Sequence, residues 1–249
     1  MIKFFRHIRK SLLMENKTSK YFKYAIGEIV LVVIGILIAL QINNWNEDRK
    51  TKAQVKIALI ALQNDLIQDT LLINKNLPEV IHQYQLNESL RARVAAPTAT
   101  TDTLITITRR EFNPNWNDRI YYNTNAYNSL NETGLIEELS DTLKTNIKNF
   151  YNGKFYRNGM VENITVDYRT KLANYVDTYT FGSTSLHDQG PLIDSLVWRQ
   201  INLAHLAASF QGMSNFKRIL FRLTKEEMEY SLEYSKQLIN QIDHYVNKK

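Results

Sequence analysis

The stretch AIGEIVLVVIGILIALQI, residues 25–42, decides the fold, because it is apolar and holds a single charged residue, Glu28. Tyr24 extends it to 19 residues, and a helix rising about 1.5 Å per residue then covers roughly the 30 Å hydrocarbon core of a bilayer. A cleaved signal peptide has a similar layout. However, the segment Ala39-Leu40-Gln41-Ile42 offers no small-x-small cleavage site, which favours an uncleaved membrane anchor.

The net positive charge of the chain comes entirely from its first 23 residues. Seven basic residues stand there against Glu15 alone, which is the whole formal net charge of +6, and the remainder carries 24 basic and 24 acidic residues. This neutral remainder indicates no groove for nucleic acid. A short basic flank stays in the cytoplasm, so the sequence predicts an inside N-terminus and an outside C-terminus. The residues predicted to set this topology include Arg6, Arg9, Lys10, Lys17, Lys20 and Lys23.

Aromatic residues flank the predicted membrane helix on both sides. Tyr21, Phe22 and Tyr24 precede it and Trp45 follows it, as expected for rings that anchor a helix at the two interfaces. Residues 1–14 mix apolar and basic positions, which favours an amphipathic helix on the inner leaflet over a disordered basic tail.

Heptad spacing indicates that the membrane helix continues into a stalk. Between Gly35 and Pro78 there is neither glycine nor proline, so nothing forces the helix to stop at the interface. A coiled-coil seam with one miss near Asp69 follows, and three further apolar residues are expected to widen its core-facing surface. Pro78 is predicted to start the next helix. The seam is Val55, Leu59, Leu62, Leu66, Ile73 and Leu77, and the widening residues are Ile60, Ile67 and Leu71.

Downstream, the patterns predict an antiparallel helical bundle with one exception. Residues 100–108, TTDTLITIT, alternate threonine with apolar residues and predict a short strand or ribbon. Gly134 and the pair Asn152-Gly153 are expected to end helices. Thr224 and Glu227 form a capping-box pattern, which predicts the start of the last helix. The expected fold class is therefore all-α apart from this one strand.

Glu28 is the ionisable residue inside the predicted membrane helix, and such groups are costly unless they are paired. Three interpretations stay open: a tolerated interfacial carboxylate, a polar contact with another membrane helix, or a proton-coupled carboxylate. Gly27, Gly35 and Ala39 follow at steps of eight and four, and a Gly35-x-x-x-Ala39 pair lets two helices approach closely. We therefore predict a partner-contact face made of Gly27, Glu28, Gly35 and Ala39.

Enzymatic patterns are missing from the sequence. Its five histidines show no HExxH spacing, and there is no G-x-S-x-G elbow, phosphate-binding glycine loop or dinucleotide fingerprint. We expect no catalytic residue, cofactor or metal. The densest aromatic and amide cluster contains Trp116, Arg119, Tyr121 and Tyr122. It could line a pocket for a small-molecule ligand, although rings that pack on the bundle are the simpler interpretation.

The run YAIGEIVLVVIGILIALQINNWN, residues 24–46, with the basic start and Glu15-Asn16-Lys17 before it, resembles a large family of uncharacterised single-span membrane proteins of the Bacteroidota. The resemblance is specific up to about residue 50 and looser beyond. It implies an inner-membrane anchor in a diderm bacterium with a periplasmic C-terminal domain, and it implies no activity. The expected domains are then a basic cytoplasmic segment at 1–23, a transmembrane helix at 24–42 and a periplasmic helical domain at 43–249.

Three functions from different classes follow from this layout. The first is an accessory or scaffold subunit that contacts lipid and joins a membrane-protein complex or a homo-oligomer. The second is a periplasmic ligand sensor, which would need a second protein for its output because only about 23 residues face the cytoplasm. The third is a stator-like subunit that uses Glu28 with the proton-motive force.

Overall fold

The computed structural model of the chain describes residues 18–114, 120–179 and 190–247, and within these ranges it contains helices and no strand. The all-α fold class is thereby confirmed. The predicted surface helix at 1–14 lies outside the described residues, as do Arg6, Arg9, Lys10 and Lys17. The helices are α1 (Thr18–Ala95), α2 (Thr101–Thr106), α3 (Asn125–Glu132), α4 (Asp141–Val176), α5 (Pro191–Leu196) and α6 (Leu203–Asn247). A π-helical turn covers Ile107–Glu111, and 3₁₀ turns cover Leu135–Glu138 and Trp198–Gln200.

The chain divides into two compact units, 1–56 and 57–249. The first contains the apolar stretch, and α1 is the one helix in the described part of the chain that is long and apolar enough to cross a membrane. The large apolar side chains from Ile29 to Leu40 are 47–63 % exposed.

Three long helices build the second unit: α1 from Ile57 onward, α4 and α6. Helix α6 runs antiparallel to α1, because Gln63 bonds the carbonyl of Ile239 near one end and Asn87 bonds that of Ser214 near the other. Helix α4 runs parallel to α1, since Asp69 meets Lys154 while Leu90 shares a core cluster with Tyr168. In this bundle α6 is therefore antiparallel to α1 and α4 is parallel to it. The parallel direction of α4 is possible because the chain between α1 and α4, residues 96–140, returns to the end of the bundle where residue 57 lies.

The predicted seam of α1 is confirmed at its centre and corrected at its width. Leu59, Leu62, Leu66 and Ile73 are fully buried, as are Val55 and, at the miss in the pattern, Asp69. The residues expected to widen the seam are instead exposed: Ile60 at 39 %, Ile67 at 37 % and Leu71 at 59 %. These three lie on the opposite side of the helix, so α1 carries apolar residues on two faces.

Two predicted helix boundaries, a start at Pro78 and an end at Asn152-Gly153, are wrong because packing overrides the local signal. Pro78 lies inside α1, and Ile73 and Val80 on either side of it are both buried in one core cluster. Gly153 lies inside α4 beneath Tyr230, and a Cβ at this position would come 2.2 Å from the Tyr230 hydroxyl. The glycine therefore serves a close approach of α4 and α6 and does not end a helix. Gly134 does end α3, with a φ of 74° that suits glycine.

The predicted strand at 100–108 is also wrong. Thr100 caps α2 by accepting a hydrogen bond from the Thr103 amide, and the Thr103 side chain accepts one from the Thr100 amide. Buried Leu104, Ile107 and Thr108 then follow at steps of three and one, which is helical spacing. The alternation of threonine with apolar residues resembled a strand, but no second strand is available among the described residues to pair with it.

The predicted capping box of the last helix is wrong as well, since α6 begins at Leu203. Thr224 lies in its interior and bonds the carbonyl of Leu220 four residues earlier. Glu227 is buried and contacts a residue of another segment, Tyr122. The capping pattern therefore hid two core residues of a longer helix.

Candidate functional site

The predicted partner-contact face lies on the exposed apolar part of α1. A Cβ built at Gly27 or at Gly35 would meet no atom within 4 Å, so both positions open onto free space. Glu28 is partly exposed on the same helix, and Ala39 is exposed. The helix therefore offers two small residues, Gly35 and Ala39, one turn apart, with a carboxylate two turns before them.

The predicted interfacial anchors are described in part. Phe22 is 66 % exposed and Trp45 is 63 % exposed, and the guanidinium of Arg49 lies 5.5 Å from the Trp45 ring centroid. Tyr21, Tyr24 and Lys20 belong to α1, and Lys23 is exposed on it.

The predicted aromatic cluster is divided. Trp116 and Arg119 lie outside the described residues, while Tyr121 is 75 % exposed. Tyr122 turns into the bundle, where it joins buried charged residues and not an open pocket. The interpretation in which the ring packs on the bundle therefore describes Tyr122.

A buried ion pair between α1 and α4 is the centre of this arrangement. The ammonium of Lys154 lies 2.7 Å from Oδ2 of Asp69, and both residues are 1 % exposed. Oδ1 of Asp69 accepts hydrogen bonds from the backbone and side-chain amides of Asn123 at 2.9 and 3.0 Å. One carboxylate thus holds two helices and the segment before α3 together.

Tyr122 connects the ion pair to α6. Its ring centroid lies 4.1 Å from the Lys154 ammonium, and its hydroxyl donates to Oε2 of Glu227 at 2.7 Å. The other oxygen of Glu227 accepts from the Ser231 hydroxyl, also at 2.7 Å. We call Asp69, Lys154, Tyr122, Glu227 and Ser231 the buried ion network.

Burial governs the pKa values in this network. Desolvation lowers the pKa of Lys154, and the neighbouring Asp69 opposes that shift by favouring the charged ammonium. Desolvation raises the pKa of the Glu227 carboxyl, while its bonds to Tyr122 and Ser231 act in the opposite direction. Such a network can fix the geometry of three helices, and its charged groups, Asp69, Lys154 and Glu227, are at most 5 % exposed.

A second buried lysine lies farther along α6. The ammonium of Lys217 donates to the carbonyl of Asn113 and lies 5.3 Å from the Phe112 ring centroid. Burial lowers the pKa of Lys217 to about 8. Among the described residues, no carboxylate forms an ion pair with it.

An open hollow of about 600 Å³ lies between the end of α4 and the start of α6. Polar and apolar groups share its lining, and the polar ones include Lys171, Asn174, His205 and Ser209. Beside it, the Tyr179 hydroxyl is hydrogen-bonded to Nδ1 of His205. Sequence reasoning missed this hollow, because its sides come from residues about 30 positions apart with no motif in common.

Two comparisons found nothing and one found a family. No curated protein and no solved structure matches the chain. A family of unknown function, DUF6090, matches residues 28–179. The chain belongs to DUF6090. The matched part includes most of the apolar stretch together with Asp69, Tyr122 and Lys154, but it ends before α6.

No metal site is evident in the described ranges, where no group of three His, Asp or Glu residues is placed to hold an ion. Asp69, Lys154 and Glu227 were all missed as a set by sequence reasoning. The signal for Asp69 was its position at the miss in the seam, because a polar residue at a core-facing position needs a buried partner. Nothing local pointed to Lys154 or Glu227 as that partner and its neighbour.

Proposed function

We propose that this DUF6090 protein is a bitopic inner-membrane accessory or scaffold subunit. In this proposal the apolar stretch of α1 spans the membrane with its N-terminus in the cytoplasm. The helical domain lies in the periplasm and binds other envelope proteins. The helix face of Glu28, Gly35 and Ala39 docks against a helix of a larger membrane complex.

The observation that carries the proposal is the exposed apolar surface of α1. Its apolar side chains from Ile29 to Leu40 are about half exposed, which is the surface that lipid or a neighbouring helix would cover. The basic residues before it and the aromatic residues at its two ends fit an anchor of fixed direction. The resemblance to Bacteroidota membrane proteins supports the same location.

Small residues give this surface a place for close helix contact. Gly35 and Ala39 are one turn apart, and among the described residues no side chain fills the space above Gly35. Glu28 lies seven residues before Gly35, on the same side of an α-helix. A carboxylate in that position favours a partner helix that supplies a hydrogen-bond donor or a cation.

The test is chemical crosslinking of the full chain in native membranes, followed by mild detergent extraction and mass spectrometry. The expected result is a discrete complex that Gly35→Leu weakens at least about tenfold, because one bulky residue blocks close packing of two helices. Glu28→Gln should weaken it less, since the amide keeps part of the hydrogen bonding.

Val33→Leu is the matched control, because Val33 points about 200° away from Gly35 on the helix and is also exposed. It should leave the complex intact. A clean monomer in membranes, or equal behaviour of Gly35→Leu and Val33→Leu, would overturn the proposal.

A second candidate function is ligand sensing, which the open hollow near His205 favours. Its size lies within the range of small-molecule sites, and its charged and amide groups suit a polar ligand. A thermal-shift screen of the detergent-solubilised chain with polar metabolites tests this function. A ligand whose stabilisation disappears in Asn174→Leu would support sensing, and uniform silence would count against it.

A further inference from the structure

The exposed face of α1 in the helical domain has the spacing of a coiled coil. Ile57, Ile60, Asn64, Ile67 and Leu71 follow at steps of three and four without a break, and we call them the outer seam. Their apolar members are 69 %, 39 %, 37 % and 59 % exposed, and Asn64 is exposed as well. The seam thus alternates a and d positions over two heptads, with Asn64 at an a position.

The outer seam is separate from the face that builds the bundle. Leu59, Leu62 and Leu66 point into the bundle and are fully buried, while the outer seam lies about 160° around the same helix. The bundle therefore does not need the outer seam for its own core. Isoleucines at such exposed positions leave apolar surface in water that a partner would cover.

We propose that a second copy of this chain covers the outer seam in a parallel, in-register pair of α1 helices. This inference rests on the proposed membrane anchoring, because two copies that insert in the same direction present their α1 helices in parallel. In that arrangement each a residue faces the same residue of the second copy, and so does each d residue.

Asn64 is the residue that favours an identical partner. In a parallel pair the two Asn64 amides lie opposite each other, and each can donate to and accept from the other. Another helix with an apolar residue there would bury an unpaired amide, which costs about 1–3 kcal/mol. A single asparagine at an a position is a known device for fixing register and pairing in coiled coils.

The flanks of the seam also suit a second copy. Within the two heptads the e and g positions are Ala61, Gln63, Gln68 and Thr70, none of which carries a charge, and Lys56 takes the g position just before Ile57. Identical helices in register place like flanks near like flanks, so charged residues of one sign would repel. Neutral flanks remove that repulsion, while they would give no attraction to a charged partner.

The size of the seam indicates where the pair is stable. Two heptads bury less than the roughly 800 Å² per partner of a typical specific interface. Anchoring in a shared membrane raises the effective concentration of the two copies and compensates for the small area. We therefore expect pairs in membranes and dissociation in dilute detergent.

The absence of cysteine from the chain permits a clean crosslinking test of the full protein in native membranes. Single cysteines are placed along residues 57–71, and the disulfide-linked dimer is quantified after mild oxidation. The expected dimer yield peaks at Ile60, Asn64 and Ile67 and is about fivefold lower at Gln68, because a and d positions lie closest across a pair. An exposed position on α4, Asp167→Cys, should give background yield only.

A second variant set separates pairing from chance collision. With a reporter cysteine at Leu71, the change Ile60→Lys with Ile67→Lys should reduce the dimer about tenfold, because like charges meet at two d positions. The matched control is Val166→Lys with Thr170→Lys, which adds the same charge at two exposed positions of α4. Both double variants should keep the melting temperature, since all four side chains point to solvent.

Alkaline extraction of the same membranes distinguishes this inference from the proposed function. Membrane-embedded protein without seam-periodic crosslinks overturns the pairing and leaves the proposed function standing. Protein that is washed from the membranes overturns the proposed anchoring, and in that case seam-periodic dimers support the pairing while their absence overturns it. Adducts to other proteins in place of dimers also overturn it.

Discussion

Lys154 and Lys217 are both buried in the helical domain, with exposures of 1 % and 2 %, yet their surroundings differ in one respect. Lys154 lies 2.7 Å from the Asp69 carboxylate, whereas Lys217 donates to a backbone carbonyl. Aromatic rings lie within 5.5 Å of both ammonium groups. A neighbouring carboxylate offsets the cost of burying the Lys154 ammonium. In the described part of the chain Lys217 has no such carboxylate, so its burial lowers the free energy of unfolding at neutral pH.

The largest expected effect comes from removing that carboxylate. Asp69→Asn should lower the free energy of unfolding by about 3–5 kcal/mol, because Lys154 is then buried without its charged partner. Urea unfolding of the detergent-solubilised chain measures the change. Asp65→Asn is the matched control one turn earlier, where Oδ2 accepts from the Ala126 amide, and it should cost about 1 kcal/mol. Equal losses in the two variants would show that the ion pair contributes nothing special.

A double variant sharpens this result. Lys154→Met alone should also cost about 3–5 kcal/mol, because it leaves Asp69 as an unpaired buried carboxylate. Combined with Asp69→Asn, it should cost clearly less than the two single losses together, since no uncompensated charge remains. Additive losses would contradict direct coupling of the two residues.

The same substitution at the other lysine should have the opposite sign. At pH 7 Lys217→Met should raise the free energy of unfolding by about 2 kcal/mol, because a pKa of about 8 in place of 10.5 costs roughly 3 kcal/mol and the lost hydrogen bond returns part of it. Lys236→Met, at an exposed position of α6, should change it by less than about 0.5 kcal/mol. A loss of stability in Lys217→Met would show that the ammonium is well solvated where it lies.

The pH dependence of this gain checks its cause. Between pH 8 and 10.5 the unfolded state binds more protons at Lys217 than the folded state does, so the wild type gains stability as the pH rises. The advantage of Lys217→Met should therefore fall by about 3 kcal/mol from pH 7 to pH 10.5, which turns it into a small disadvantage. The difference between the two proteins is the quantity to measure, because titrating tyrosines affect both alike. An advantage that stays constant with pH would exclude desolvation of the ammonium as its cause.

The long apolar helix at residues 25–42 is predictable from the sequence, because the composition of this stretch alone indicates it. The seam of α1 is equally predictable from the sequence, since heptad spacing is a local pattern, and burial of Leu59, Leu62 and Leu66 confirms it. The partners of Asp69 are not predictable in this way. Lys154 is 85 residues away, and neither residue carries a mark of the other in its own neighbourhood.

Local signals failed where packing between helices opposed them. Pro78 is a typical helix start and Gly153 a typical helix end, but buried residues on either side of Pro78 and the ring of Tyr230 beside Gly153 accompany continuous helices α1 and α4. Thr224 and Glu227 read as a cap, although Glu227 serves the buried ion network instead. At Gly153 and Glu227 the deciding contact lies on another element, which a single sequence does not reveal.

The smallest expected effect concerns Tyr122, the link between the ion pair and α6. Tyr122→Phe keeps the ring beside Lys154 but removes the donor to Glu227, and it should cost about 1 kcal/mol at pH 7. Ser231→Ala removes the other donor to the same carboxylate and is the matched control.

The pH dependence of the stability loss in Tyr122→Phe distinguishes a lost hydrogen bond from a lost packing contact, because only the hydrogen bond depends on the charge of Glu227. Burial raises the pKa of the Glu227 carboxyl, so the protonated carboxyl is favoured in the folded state. The contribution of this group to the free energy of unfolding is fully present below the ordinary pKa near 4.5 and is lost as the pH rises through the pKa of the folded state. Without the Tyr122 donor that folded pKa rises further, and the loss in Tyr122→Phe should grow from pH 4 to pH 7. Unfolding curves at both pH values measure this growth, and a loss that is equal at the two would mean that the hydroxyl does not stabilise an ionised carboxylate.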